Sequence, residues 1–406
     1  MYFTLALTTD KTWNCAFIFH GIAFGILPTL IPLYFVDHLK GSLVDFGIMS
    51  AFTTIFSIFT SVYAGQLPER YRRAKPFIAI SFLFSSVIIF ALTQTTNVFL
   101  FQILYVLLGI TNSIYPPSTR LLIAETYQRS NWESMFALHS LIVGFSNSLG
   151  LAICSLFVSN WGYKKLLFIC IPLLLTSFLV ALVVIKDPSL YVERWLSRIS
   201  RPIEDVESLS YWLGVKGNVS RFGLKSNIKM SLFGLGTLIF VMAVSSLKSS
   251  LPVFFRDITG IEPSTIFSIY FVRSLIGSIS YIVVGRLIGE GSSGDAVKFA
   301  SIARAVLVLL LPSITFLPSL TPIITIILLS AMTFSWSLYY IGSSTIIIDY
   351  ASEGSMGVYD ALSGFGSIVG GLLSGLIPAM FSFNLLFIMA STLFSTSFLI
   401  FWKSIS

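Results

Sequence analysis

The chain has 406 residues, of which 55% are hydrophobic and only 11% are charged. Soluble domains carry about 25% charged residues, so a water-facing surface cannot be built from this composition, and a soluble enzyme or binding module is excluded. The net charge of +7 does not point to nucleic acid, because basic residues on so apolar a chain mark loops that face the cytosol.

Apolar blocks of about 20 residues, enough for a helix to cross a hydrocarbon core of about 30 Å, recur along the whole sequence. They predict an all-α polytopic membrane protein with about twelve helices. In chain order the blocks are Trp13 to Val36, Phe46 to Ala64, Phe77 to Leu92, Val98 to Leu122, Met135 to Val158 and Leu166 to Ile185. The second set is Met230 to Phe254, Ser264 to Leu287, Phe299 to Leu317, Pro322 to Ile347, Val358 to Phe381 and Leu385 to Trp402. The first block is longer than a signal-peptide core and lacks a small-residue cleavage site, so it is expected to remain as a span. Cys15, Cys154 and Cys170 fall in or beside apolar blocks and offer no disulfide framework.

The longest polar gap, Lys186 to Lys229, divides the chain into an N-terminal six-helix bundle (1–185), a cytosolic central loop (186–229) and a C-terminal six-helix bundle (230–406). Within the loop, Leu190, Tyr191, Trp195 and Ile199 alternate with Arg194, Arg198 and Arg201, a pattern suited to a helix lying on the inner leaflet. With the amino terminus inside, seventeen basic residues fall on the inner side and four, Lys40, Lys164, Lys165 and Arg256, on the outer. Both termini are therefore expected in the cytosol of a multi-pass cell-membrane protein. The expected partners are the lipid bilayer and a small-molecule solute, with a proton as candidate coupling ion, no nucleic acid, and a monomeric state.

The halves also repeat at one constant offset. Gly65 and Leu67 recur as Gly285 and Leu287, Glu133 as Glu353, and Gly144, Phe145 and Gly150 as Gly364, Phe365 and Gly370, with the same separation in every pair. A duplicated six-helix unit is the plan of many secondary transporters. The glycines at these places, with Gly366, Gly371 and Gly375, read as surfaces where helix backbones approach closely.

After the second block comes Gly65-Gln66-Leu67-Pro68-Glu69-Arg70-Tyr71-Arg72-Arg73. This loop resembles the inner-loop signature of the major facilitator superfamily (MFS), with Glu69 at the acidic position and Arg70 matching directly. Glu125 at the inner end of the fourth block and Trp161-Gly162-Tyr163-Lys164 before the sixth extend the resemblance. It implies two pseudo-symmetric bundles around a central path, alternating access, and a gating set of Gly65, Glu69, Arg70, Arg73, Glu125 and Asp360. Two departures weigh against proton antiport: Tyr105 stands where the family often has arginine, and Gly150-Leu151 stands where antiporter-type members have glycine and proline.

Polar and aromatic residues at helical spacing within the apolar blocks are the candidate solute contacts, since polar groups at membrane depth should face protein or water. On the fourth block these are Gln102, Tyr105, Asn112 and Arg120, with Gly109 and Pro116 on the same stripe. His20 and Phe24 come from the first, Lys248 from the seventh, Arg273 from the eighth, and Trp336 and Tyr340 from the tenth. The resemblance places the first, fourth, seventh and tenth helices along the solute path. Interhelical hydrogen bonding is an equal reading for a lone Asn or Tyr, and core packing the commoner one for a lone His. Arg304 reads as a residue that reaches the inner interface, and Arg120 as a partner of Glu125. Arg273 is the cation placed deepest, and no Asp or Glu lies at mid-membrane.

The sequence thus predicts a secondary transporter and not an enzyme. Gly289-Glu290-Gly291-Ser292-Ser293-Gly294 has the spacing of a dinucleotide loop but no strand before it. His20, His38 and His139 make no metal cluster, and no cofactor is expected. An organic or phosphorylated anion is the expected solute on the strength of Arg273, Lys248 and Arg120. The alternative is export of neutral or lipophilic compounds over Trp336, Tyr340 and Phe24. A membrane-embedded enzyme or receptor-like structural protein is the reading from another class.

Overall fold

The computed structural model describes residues 12–71, 73–127, 132–186, 229–288, 293–316, 320–350 and 355–405. The inner-leaflet helix expected at 190–201 lies outside them. The described residues form thirteen α-helices: α1 (Cys15–Asp37), α2 (Leu43–Tyr71), α3 (Lys75–Gln94), α4 (Val98–Asn112), α5 (Tyr115–Thr126) and α6 (Trp132–Val184), then α7 (Met230–Lys248), α8 (Ser250–Asp257), α9 (Pro263–Leu287), α10 (Ser293–Leu309), α11 (Thr321–Tyr350), α12 (Ser355–Met380) and α13 (Phe383–Ser404). Among them, 11 helical runs are long and apolar enough to cross a membrane. The longest, Met135–Val184, has 50 residues. At 1.5 Å per residue it would reach about 75 Å, more than two hydrocarbon thicknesses. It breaks at Gly162, whose φ of 69° and ψ of 170° leave the helical region, and so holds two crossings. The count of about twelve spans agrees.

Two further breaks fall where proline withholds an N–H, although Pro28 and Pro32 of α1, Pro172 of α6 and Pro378 of α12 are carried inside their helices. Pro116 and Pro117 cannot donate to the carbonyls of Asn112 and Ser113, and the single fourth block of the sequence reading divides into α4 and α5. Ser81 covers the neighbouring carbonyl, its Oγ donating to Thr111 O at 2.6 Å. Likewise Pro252 cannot donate to Lys248, where α7 ends. Two helix starts, those of α4 and α13, are capped from the side chain: Asn97 Oδ1 accepts from Leu100 N at 3.2 Å and Ser382 Oγ from Leu385 N at 3.2 Å. Ser42 and Asp45 cap each other, Asp45 N donating to Ser42 Oγ at 3.1 Å and Ser42 N to Asp45 Oδ2 at 3.2 Å.

The repeat is visible in the backbone. After α1, Leu39 N donates to Tyr34 O and Gly41 N to Phe35 O; after α8, Thr259 N donates to Phe254 O and Ile261 N to Phe255 O. Each bond recurs at the offset that relates Gly65 to Gly285, and the left-handed residue between them is Lys40 (φ 56°) in the first copy and Gly260 (φ 67°) in the second. Helix contacts repeat as well. A Cβ on Gly150 would strike the Ile22 carbonyl, and one on Gly370 the Met242 carbonyl, each the repeat equivalent of the other. Gly162, the break inside α6, is equivalent in the repeat to Ser382, the cap that separates α12 from α13.

The described residues group into two compact units. Unit 1 takes in those of Met1–Gly41, Phe56–Leu190 and Glu262–Leu275. Its core includes Trp13, Phe17, Ile78, Phe82, Leu122, Ile123 and Tyr127, with Trp13 Nε1 donating to the Tyr127 hydroxyl at 2.9 Å. Ser148 Oγ donates to Ser274 Oγ at 2.8 Å, which ties the first turns of α9 into this unit. Unit 2 takes in those of Ser42–Ile55, Tyr191–Ile261 and Ile276–Ser406. There a Cβ on Gly375 would meet Leu43 O and the Gly47 backbone, so the start of α2 lies backbone to backbone on α12. Outward faces are apolar; Ile80, Phe84, Val87 and Phe90 of α3 are each 43% exposed or more. Water would not tolerate that stripe, and lipid does.

Leucine at either Gly150 or Gly370 should push a helix off its neighbour's carbonyl and cost about 1–3 kcal/mol. Gly285→Ala meets nothing within 4 Å and should be neutral. Apparent melting temperatures in detergent check this: a Gly150→Leu protein as stable as Gly285→Ala refutes the contact.

Candidate functional site

Two side-chain clusters stand at equivalent places of the repeat, one in each unit. The first is built around His20 of α1, which is 1% exposed. Its Nε2 lies 3.2 Å from Asn112 Oδ1, at the α4–α5 break. Phe24 stacks on the imidazole with centroids 4.4 Å apart, and Phe82 and Tyr115 close on it at 4.6 Å each. The other ring nitrogen, Nδ1, is buried with no hydrogen-bond partner among the described residues. A second histidine, His139, stacks on Trp13 at 5.4 Å and places Nδ1 3.1 Å from Asn14 Oδ1.

In unit 2, Phe240 of α7 takes the place that His20 has in the first copy. It stacks on Tyr339 at 3.8 Å and, more distantly, on Trp336 at 6.3 Å. Trp336 continues to Tyr340, stacked at 6.3 Å, and Tyr281 meets Tyr340 edge-on at 6.0 Å. Tyr340 is 47% exposed and Trp336 half-buried, so the stack ends in an accessible ledge. Below it Ser343 Oγ and the Tyr359 hydroxyl share a hydrogen bond of 2.9 Å.

Arg304 departs from the sequence expectation. It does not reach an interface: it is 4% exposed, with Nη2 donating to Met332 O at 2.7 Å and Nε to Ser335 Oγ at 3.2 Å. The cause is the start of α10, which begins at Ser293 and not Phe299. The polar turn Ser293-Gly294-Asp295 is helical, which moves Arg304 from the end of its span to the middle.

The remaining candidates are dispersed. Gln102 and Tyr105 are half-buried on one face of α4, while Arg120 on α5 and Lys248 at the end of α7 are exposed. Arg273 is half-buried with its guanidinium 5.3 Å from the Tyr270 ring. Of the gating set, Arg73 and Asp360 are exposed and Glu125 half-buried; the side chains at Gly65, Glu69 and Arg70 lie outside the described residues. Among the described residues no three His, Cys, Asp or Glu side chains gather as metal ligands. Phe240 and Tyr281 are not legible as site residues in the sequence, because single-helix stripes do not reveal rings contributed by different helices; Tyr339 lies on α11 but off the Trp336–Tyr340 stripe, and Arg304 is hidden by the earlier start of α10.

The pattern that defines the Major Facilitator Superfamily matches residues 13–359. The chain belongs to that superfamily. Relatives include the multidrug resistance protein MdtG of Escherichia fergusonii, 24% identical over 398 residues that cover 95% of this chain and 91% of the relative. The MdtG of Klebsiella pneumoniae is also 24% identical, over 94% of this chain and 89% of its own. Among solved structures, the nucleoside transporter NupG superposes with a TM-score of 0.74 at 15% identity, covering 97% of this chain and 98% of that one. A D-xylose–proton symporter gives 0.72 at 12% identity over 97% and 98%. These likenesses agree with the all-helical fold, and this superfamily protein is a membrane transporter.

The His20–Asn112 pair permits a thermodynamic test. Asn112→Leu leaves both imidazole nitrogens unpaired and should cost about 1–3 kcal/mol. Adding His20→Phe should recover most of it, since an aromatic box already surrounds the site and Phe240 fills the equivalent position. A double variant as unstable as Asn112→Leu alone in thermal unfolding contradicts the pairing.

Proposed function

We propose that this transporter is a secondary one that exports small lipophilic or aromatic compounds by alternating access, with the Trp336–Tyr340 ledge as a contact for the solute. The ledge is the observation that carries the reading. An accessible aromatic surface gains dispersion and stacking from a flat apolar solute without needing a fixed hydrogen-bond pattern, and it therefore suits a loosely defined substrate class. The names of the MdtG relatives point the same way. Uphill movement would draw on a gradient of an ion or of a second solute.

The anion reading keeps one specific support, Arg273 beside Tyr270. Lys248 and Arg120, the other two cations invoked for it, are exposed, the first as the last residue of α7 and the second on α5. The aromatic reading uses more of the described geometry.

Efflux of the neutral aromatic dye Nile red from de-energised, then re-energised cells tests the proposal. Cells making the wild-type chain should expel dye faster than cells without it, and Trp336→Ala or Tyr340→Ala should remove most of that difference at equal protein level. Unchanged efflux in both variants rejects the ledge.

We further propose a single-chain unit with both termini in the cytosol, on the charge bias of the loops. Lys40 and Lys403 are both exposed, which makes them suitable probes, whereas Ser404 is buried. In intact cells an impermeant maleimide should label Lys40→Cys and spare Lys403→Cys; the reverse pattern inverts the topology.

A further inference from the structure

An arginine at the centre of a membrane helix is costly to insert. Arg304 bears that cost amid three aromatic rings, with its guanidinium carbon 5.5 Å from the centroid of Trp336 and 5.7 Å from those of Phe240 and Phe394. Packing does not call for it. A methionine would fill the same space among the rings, and Ser335 Oγ already donates to the Met332 carbonyl at 2.9 Å.

What the guanidinium adds is a fixed positive charge on the inner side of the ledge. Its bonds to Met332 O and Ser335 Oγ hold the turn of α11 that carries Trp336, so the charge and the ring keep their geometry. Phe240, Trp336 and Tyr340 lie in near-parallel planes, 20° and 24° apart for successive pairs. An aromatic face attracts cations through its quadrupole. Here that attraction is already engaged by Arg304, and a second cation seated on the ledge would meet repulsion from it.

We propose that Arg304 sets the charge preference of the Trp336–Tyr340 ledge, so that it accepts neutral and anionic aromatic solutes and rejects cations of the same shape. This rests on the reading of the ledge as the solute contact. At a separation of about 10 Å and an effective dielectric constant of about 20, one unit charge changes affinity by about tenfold, against a cation and in favour of an anion.

Tetraphenylborate and tetraphenylphosphonium have the same shape and opposite charge. Their binding to the purified full-length protein can be measured by equilibrium dialysis in detergent, with the Trp336→Ala protein as the reference for non-specific uptake. Wild type should bind the borate at least tenfold more tightly than the phosphonium. Arg304→Met should bring the two within about threefold of each other, and Arg304→Lys, which keeps the charge, should retain the borate preference. Equal affinities in wild type, or a preference for the phosphonium, overturn the inference even if Arg304→Met does not fold, and they leave the ledge itself standing. Absence of any Trp336-dependent binding of either ion overturns the inference together with the ledge.

Discussion

In hydrocarbon every backbone N–H and C=O must find its partner inside the protein, and this requirement decides where the helices of this chain bend and what sits at each bend. Prolines at 116, 117 and 252 remove donors, and the helix ends at the carbonyls they leave. Side chains then complete the bonding: Ser81 reaches Thr111 O from α3, and Ser250 of α8 reaches Ser374 O of α12 at 2.6 Å. The break that separates α4 from α5 also presents Asn112 to His20. A backbone necessity and a candidate site thus share one turn.

Close approach of backbones is the second consequence. Lipid offers helices no hydrophobic reason to associate, so contact depends on van der Waals fit and on small residues. Gly25 faces the Asn147 backbone, Gly150 the Ile22 carbonyl and Gly366 the Leu238 carbonyl. At these points no side chain of the glycine stands between the two backbones. In a protein that works by changing conformation, smooth surfaces allow displacement without breaking a specific bond at each step.

The fold was legible because hydrocarbon imposes a length on every crossing, and block length survives any uncertainty about neighbours. The duplication was legible for a related reason: loop glycines and packing glycines keep their spacing when the backbone is kept. Local boundaries were less so. Hydropathy begins a span at its first apolar residue, and so placed the ninth at Phe299, whereas Ser293-Gly294-Asp295 starts α10 more than a turn earlier. That difference hid the burial of Arg304. The aromatic cluster was half legible, since Trp336 and Tyr340 share a stripe of α11. Phe240, Tyr281 and Phe394 come from three other helices, and periodicity within one helix carries no information about which ring of another it meets.

The constant offset between the copies separates scaffold from specialisation. Where the copies agree, the residues shape backbone: the Phe35 and Phe255 carbonyls accept equivalent turn bonds, and Gly150 and Gly370 press on equivalent carbonyls. Where they disagree, the residues build the two clusters. His20 becomes Phe240, Asn112 becomes Met332, Tyr115 becomes Ser335 and Pro116 becomes Trp336. In the first copy the buried bond is between side chains, imidazole and amide. In the second, that site has lost both polar groups, and a guanidinium from α10 bonds instead to the Met332 carbonyl and to the serine that replaces Tyr115. The first-copy equivalent of Arg304 is Phe84, an exposed ring on the outside of α3. A charge in one copy and a lipid-facing ring in the other cannot both serve packing of a common backbone. At these positions the divergence places polar and aromatic chemistry where side chains are buried or half-exposed, and a duplicated scaffold that had only to span the membrane would give no reason for that.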